Sequence, residues 1–449
     1  MDNVPFIFVS IASYRDSELI PTLVDMVSQS ASPQSLHVSI CWQCEEDISI
    51  FLKQGMELTQ QRLHHDFNLY IFSYRNTVIQ VISVHYYQSK GACWARHIAE
   101  TLYDNEEYFL QIDSHCRFIP GWDNQMIDAL GELVTLSPKP VLTGYPPAYQ
   151  PDKLDEKSND LIRLMFRGFS QEKILQLSPY VMTESIPSPI RGSYLAGGFI
   201  FTLGSFVTEI PNDPQIFFEG EEIAMAVRAF THGYDIFHPD KVLLWHFYGR
   251  QDHVKVWTDH SNEAKTKGSV DQAWWERDAI SKNRVKALLG HQTTERCDHG
   301  IYCLGVQRTL SDFERTAGVD FSRCLVHPDV ISDEHKAYFS YGELIEGEWR
   351  SLLVGIYKKT IKFDSSKISM LGKDAIYWYV GVYTEDNTLL EQQTIYNKEI
   401  NESILKSEDG SFSLSLDFTS GDILIPYSVR ISPFIDKVGW GEVIEEAWW

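Results

Sequence analysis

Residues 5–29 read PFIFVSIASYRDSELIPTLVDMVSQ. Pro5 to Ala12 is a near-continuous apolar run, which fits a strand buried on both faces in a parallel sheet. Ser17 to Gln29 then places Leu19, Ile20, Leu23, Val24 and Val27 at helical spacing. The same alternation continues downstream. Leu36–Trp42 (LHVSICW) and Val78–Val84 predict strands, Cys93–Leu102 predicts a helix with Gly91 at its mouth, and Tyr108–Ile112 (YFLQI) predicts a fourth strand. Strand–helix alternation predicts an α/β domain with a mainly parallel central sheet. Such sheets bind ligands beyond the carboxyl ends of their strands. Three polar clusters fall there: Ser13-Tyr14-Arg15-Asp16, the Gly91–Arg96 turn, and Asp113-Ser114-His115.

Beyond Pro138 the pattern loosens. Residues 144–190 hold prolines 146, 147, 151, 179, 187 and 189, which predict long loops flanking a cleft. Order returns with Leu195–Leu203 (LAGGFIFTL), a helix from about Glu221 to Thr231 ended by Gly233, and a strand-like run Lys241–Phe247. From about residue 341, short segments such as Ser351–Tyr357, Ala375–Tyr383, Phe412–Phe418 and Ile423–Ile431 alternate or run apolar between turn residues. They predict an all-β, sandwich-like domain. The expected organisation is therefore a catalytic domain over 1–284, a connecting segment over 285–340 and a β-rich domain over 341–449.

The net charge of the 449-residue chain is −23, which excludes a general binder of nucleic-acid backbone. A nucleotide remains compatible, because a cation and a few arginines neutralise a diphosphate locally. The start MDNVPFIFVS lacks the basic segment and long apolar run of a signal peptide, and no run of 18 apolar residues predicts a membrane span. Seven scattered cysteines, at 41, 44, 93, 116, 297, 303 and 324, read as reduced thiols in the cytoplasm. Cys41 and Cys44 have CxxC spacing without a second pair, which reads as two thiols at a strand end rather than a zinc site. The region from Tyr341 carries 10 basic and 18 acidic residues and no His or Cys, so it suits binding or scaffolding better than metal chemistry.

The chemistry gathers at Asp113-Ser114-His115. In an extended turn, residues i and i+2 point the same way, so this carboxylate and imidazole can reach one cation. A hard oxygen with a borderline nitrogen suits Mn²⁺, with Mg²⁺ or Co²⁺ as alternatives. Such a cation bridges phosphate oxygens and stabilises a departing diphosphate. The competing reading is an ordinary turn with a capping Asp. A third ligand is needed; His246, at the end of LLWH, is the first candidate, with His238 and His253 as competitors. Tyr248 and Arg250 follow close behind and can reach phosphates or order the loop. Arg15, Arg96 and Arg117 suit bidentate contact with an anion. Tyr14 can stack on a nucleobase, Asp16 can accept from a base N–H or a ribose hydroxyl, and Ser13 and Ser114 stand in the same turns. In Phe218-Glu219-Gly220-Glu221-Glu222, the two last carboxylates either face a reacting sugar or hydroxyl, or simply favour a helix N-terminus. Gly197 and Gly198 allow a close backbone approach, as the floor of a sugar pocket.

These stretches also resemble a known family. IFVSIASYRD, KGACWARHIAE, YFLQIDSHCRFIPGWD, LTGYPP and FFEGEEIAMAVRAFTHGYDIFHP are similar to the polypeptide α-N-acetylglucosaminyltransferases that modify hydroxyproline in a cytosolic ubiquitin-ligase adaptor. The resemblance spans roughly residues 4–255. It extends more distantly to the mucin-type polypeptide N-acetylgalactosaminyltransferases, which also carry a DxH metal motif. The resemblance implies a GT-A fold, a UDP-sugar donor (UDP-N-acetylglucosamine), a divalent cation and retention of anomeric configuration. It implies Asp113, His115 and His246 as metal ligands, Arg15 and Asp16 in the uridine region, and Glu221 near the sugar. Gly220 takes the place of the glycine in a related GGE motif. The β-rich tail departs from the family pattern, which leaves a protein or a glycan as acceptor, including a bacterial polysaccharide built from another UDP-sugar. Two rivals stand beside this reading. A metal-dependent phosphoesterase or nucleotidyltransferase would need more clustered acids. A non-catalytic carbohydrate-binding protein is suggested by the aromatic tail.

Overall fold

The structure is a computed structural model that describes residues 6–183, 188–293, 296–333, 335–406, 412–421 and 424–449. Pro5, Pro187 and Ile423, which belong to expected segments, lie outside the described residues. Two compact units are present: Met1–Ala317 with His335–Tyr341, and Gly318–Glu334 with Gly342–Trp449.

The first unit contains β1 (Ile7–Tyr14), β2 (Leu36–Gln43), β3 (Glu57–His64), β4 (Phe67–Tyr74), β5 (Thr77–Val84), β6 (Tyr108–Asp113), β7 (Cys116–Phe118), β8 (Pro140–Thr143), β9 (Leu161–Phe169), β10 (Leu175–Met182), β11 (Ile190–Gly192), β12 (Phe199–Leu203), β13 (Asp235–His238) and β14 (Leu244–His246). Ten of them form one sheet in the order β11-β13-β8-β12-β6-β1-β2-β5-β4-β3. Its central run β6-β1-β2-β5 is parallel. This is the α/β architecture expected from residues 5–113, with β1 at its heart.

Helix Leu19–Gln29 buries Leu19, Thr22, Leu23, Met26 and Val27, the i, i+3, i+4, i+7, i+8 face, against that sheet. Each such apolar side chain contributes roughly 1.5–3 kcal/mol when fully buried. The helix stops at Ser30, where the chain turns extended. There the Asp123 carboxylate accepts from Ser30 Oγ at 2.6 Å and from the amides of Ala31 and Ser32 at 2.8 Å. Fully buried Trp122 donates its indole N–H to Met26 O at 2.9 Å, which clamps helix Trp122–Leu133 onto helix Leu19–Gln29.

Three antiparallel pairings were not foreseen. β3 and β4 pair antiparallel with each other, and β4 pairs antiparallel with β5, so the sheet is extended outward. β3 closes that edge with nearly every side chain exposed and a bulge between Leu58 and Gln60. Within 144–190, expected as loops, β9 and β10 form a separate two-stranded antiparallel hairpin with its own bulge at Gln176/Leu177. The strand expected over Lys241–Phe247 is only Leu244–His246, paired with β7.

The second unit contains β15 (Val319–Asp320), β16 (Leu325–Val326), β17 (Val354–Phe363), β18 (Ala375–Tyr383), β19 (Leu389–Tyr396), β20 (Phe412–Gly421), β21 (Ser428–Ile435), β22 (Gly439–Trp440) and β23 (Ile444–Ala447). They form two antiparallel sheets, β15-β16-β17-β20 and β19-β18-β21-β22, with β23 beside β21. Trp378, Val380, Phe412, Leu414, Val429 and Ile431 share one core. The expectation of an all-β tail is corrected in one respect. Helices Ser365–Leu371 and Asn397–Lys406 join it, and Ile368 and Ile400 enter that core.

All seven cysteines are free thiols. Among the described residues, no helix is long and apolar enough to cross a membrane.

Candidate active site

β6 ends in Asp113, aligned with Ala12 at the end of β1. The chain turns through Ser114 and His115 into β7, and β7 pairs with β14 so that Cys116 faces His246. This short ladder carries His246 to the DxH turn across 133 residues of sequence. Asp113 Oδ2 lies 3.1 Å from His246 Nε2 and 4.0 Å from His115 Nε2, and the two imidazole rings stand edge to face at 4.5 Å. Among the described residues, Asp113, His115 and His246 are the group of three whose ligand atoms, all within 4.8 Å of one another, could hold a metal ion. The competitors fall elsewhere. His238 is buried with Nδ1 on Thr143 O, and His253 packs edge-on against Phe247.

Asp16 orients this group from behind. Its carboxylate, whose side chain is fully buried, accepts from Ser114 Oγ at 2.5 Å and His115 Nδ1 at 2.8 Å and pairs with Arg250 at 3.2 Å. With Nδ1 as donor, His115 turns a lone pair on Nε2 toward Asp113. Burial pushes the Asp16 pKa up, but the His115 hydrogen bond and the charges of His115 and Arg250 outweigh it, so the carboxyl titrates below its usual range. Burial likewise opposes charge on Asp113, but the hydrogen bond from His246 and the separate charge of Arg96 overcome it, leaving the carboxyl far below the usual range. Burial lowers the His115 pKa, which favours the neutral imidazole a cation requires. The donor set thus fits a divalent cation.

Beneath the group, Arg96 forks between two carboxylates: Nη2 to Asp113 at 3.1 Å and Nη1 to Glu221 at 2.8 Å. Its helix, Ala92–Glu100, starts at Gly91, whose φ of 115° and whose closeness to Phe217 O (2.6 Å for an added Cβ) require glycine. The second Glu221 oxygen accepts from Cys93 Sγ at 3.0 Å. Glu222 accepts from Gly197 N and from Tyr145 Oη, each at 2.9 Å, and burial followed by the Glu221 charge raises its pKa to about 7. Gly197 and Gly198 make this packing possible. An added Cβ would stand 2.3 Å from Glu221 Oε1 at the first and 2.7 Å from Asp113 Oδ2 at the second.

A cavity of about 650 Å³ opens over Asp113, with Tyr14, Arg96, Glu222, Tyr248 and Arg250 in its walls and Arg167 and Gln176 of the β9–β10 hairpin at its rim. That volume suits a nucleotide-sized ligand. Several nominated residues have partners within the protein. Arg15 pairs through Nη1 with Asp259 at 2.9 Å and lies over the Tyr86 ring, and Tyr14 Oη donates to the same carboxylate at 2.8 Å. Arg117 pairs with Glu18 at 2.5 Å and stacks over Tyr149. Ser13 is fully buried in the sheet beside Trp42. Asp16, committed to Ser114, His115 and Arg250, supports the site from beneath. The sequence reading missed Tyr145 as the partner of Glu222 and passed over Lys255, which lines the cavity. The signal for the first was LTGYPP itself, where a tyrosine follows two residues after the strand Pro140–Thr143.

The family model for glycosyltransferase (GlcNAc) matches residues 6–71 and 57–323. The chain belongs to this GlcNAc glycosyltransferase family. No curated protein matches its sequence. Among solved structures, the glycosyltransferase is similar to GalNAc-T7 with UDP, GalNAc and Mn²⁺, at 12% identity and a TM-score of 0.41, over 70% of this chain and 57% of that one. It is also similar to S. aureus TarS 1–349, at 12% identity and a TM-score of 0.34, over 63% and 71%. A third likeness is to the mannosyltransferase PcManGT from Pyrobaculum calidifontis in complex with GDP-Man and Mn²⁺, at 9% identity and a TM-score of 0.36, over 56% and 59%. The chain thus spans little more than half the length of the GalNAc-T7 chain.

Proposed function

We propose that this glycosyltransferase moves N-acetylglucosamine from UDP-N-acetylglucosamine to a hydroxyl of a protein or glycan acceptor, with retention and with a divalent cation at Asp113, His115 and His246. The observation that carries the reading is the convergence of those three side chains at the mouth of a nucleotide-sized cavity. A cation held there would supply Lewis acidity to the donor's diphosphate. A cytoplasmic setting suits the free thiols. The protein arm of the acceptor reading follows the likeness of the motifs to the hydroxyproline-modifying enzymes, and the glycan arm follows the β-rich tail.

In the proposed reaction the bond from the anomeric carbon to the phosphate oxygen breaks and its electron pair stays on that oxygen. The acceptor oxygen forms the new bond on the same face, and its proton passes to the leaving phosphate. This path is favoured over a glutamate nucleophile by the carboxylates themselves. The Glu221 oxygens are taken by Arg96 and Cys93, and those of Glu222 by Gly197 and Tyr145.

The test is release of nucleotide from a panel of UDP- and GDP-sugars with and without Mn²⁺. UDP release from UDP-N-acetylglucosamine is expected, with loss of activity in EDTA. No release from any donor, together with metal-free glycan binding, would support the carbohydrate-binding alternative instead. A second expected result concerns Asp16. Asp16→Asn keeps the shape but removes the charge that orients His115, so Mn²⁺ affinity should fall about 10- to 100-fold. An unchanged Mn²⁺ titration would detach Asp16 from the metal site.

A further inference from the structure

Four arginines that the sequence offers to a diphosphate are already committed to carboxylates of the protein. Arg15 pairs with Asp259, Arg117 with Glu18, Arg96 with Asp113 and Glu221, and Arg250 with Asp16. Lys255 differs. It lines the same cavity as Asp113, His115 and His246, and its side chain has no ion pair or hydrogen bond among the described residues. Burial lowers its pKa, the adjacent Arg250 charge lowers it further, and Asp16 opposes this only in part. A half-buried ammonium beside a guanidinium is unfavourable until an anion joins them. Arg167, another cavity cation, is exposed to water and bears no such cost.

The backbone fixes where this ammonium stands. Phe247 N donates to His115 O at 3.0 Å, tying the start of the loop to the DxH turn. Lys255 itself is extended and precedes the short helix Val256–Asp259, accepting from Thr258 N at 2.9 Å. The end of that turn is anchored by Tyr14 and Arg15 on Asp259, and by His260 Nε2 on Tyr86 O at 2.9 Å. Lys255 therefore stands in a loop tied at one end to the DxH turn and at the other to the end of β1.

We propose that Lys255 is the protein's own cation for the donor diphosphate, contacting a phosphate oxygen and offsetting the negative charge that collects there as the sugar departs. The inference rests on the nucleotide-sugar reading above. Calorimetric titration of the full chain with UDP and with uridine, both in Mn²⁺, tests it. Lys255→Met should weaken UDP binding about 10- to 100-fold, the worth of one charged hydrogen bond, and leave uridine binding unchanged. Lys255→Arg should retain most of the UDP affinity, because the charge stays. Equal UDP affinity in Lys255→Met and the unsubstituted protein overturns the inference. A matching loss for uridine also overturns it, since that marks a collapsed loop. If the unsubstituted protein binds no UDP at all, the nucleotide-sugar reading fails and the inference falls with it.

Discussion

Asp113→Ala is expected to lower sugar transfer by about a thousandfold or more, the scale seen when one preorganised electrostatic contact to a transition state is removed. Asp113 is the one residue common to the two elements of the site. It meets His246 above and Arg96 below, and it is the hard oxygen of the proposed metal group. Its loss removes a cation ligand and leaves two imidazoles facing a guanidinium. The measurement is UDP release at saturating donor over a Mn²⁺ series, with a thermal melt to check that the fold survives. Full turnover with unchanged metal dependence would remove Asp113 from the chemistry.

Arg96→Ala should act mainly on stability. The Arg96 side chain is 5% exposed and neutralises Glu221, itself 9% exposed, together with Asp113. Removing one partner of a buried ion pair costs about 3–5 kcal/mol, because the remaining carboxylates keep their desolvation penalty. The transition of the first unit should then fall by roughly 5–15 °C. Arg96→Lys should recover part of that loss, since one ammonium cannot fork to both carboxylates in the same geometry. A melt of Arg96→Ala that overlays that of the parent protein would show that Glu221 and Asp113 find other partners or protonate without cost.

Much of this was legible in the sequence where burial is one-sided or complete. β1, β2 and β6 are apolar on both faces and bounded by polar turns, and helix Glu221–Thr231 has its glycines at both ends. β3 was not legible because ELTQQRLH buries almost nothing, so no alternation marks it. The β9–β10 hairpin was hidden by Gly168 and Pro179, which read as loop. At the site, Asp113 and His246 were visible as polar residues at strand ends, and His115 in the turn that follows Asp113. The arginines were not assignable, because a sequence does not tell which carboxylate an arginine will meet. Arg15 finds Asp259 from 244 residues away, a partner nothing in its neighbourhood suggested.

The edge formed by β3 bears on how the protein behaves in company. A sheet that ends in an unpaired strand offers amides and carbonyls to any other extended chain, and growth from such edges leads to fibres. Here the last strand carries Thr59, Gln60, Gln61 and Arg62 in water, and the bulge at Leu58/Gln60 breaks the regular spacing an incoming strand would need. This exposed strand is thus poorly suited to template a copy of itself, and a crowded solution of this acidic chain is protected at that edge of its largest sheet.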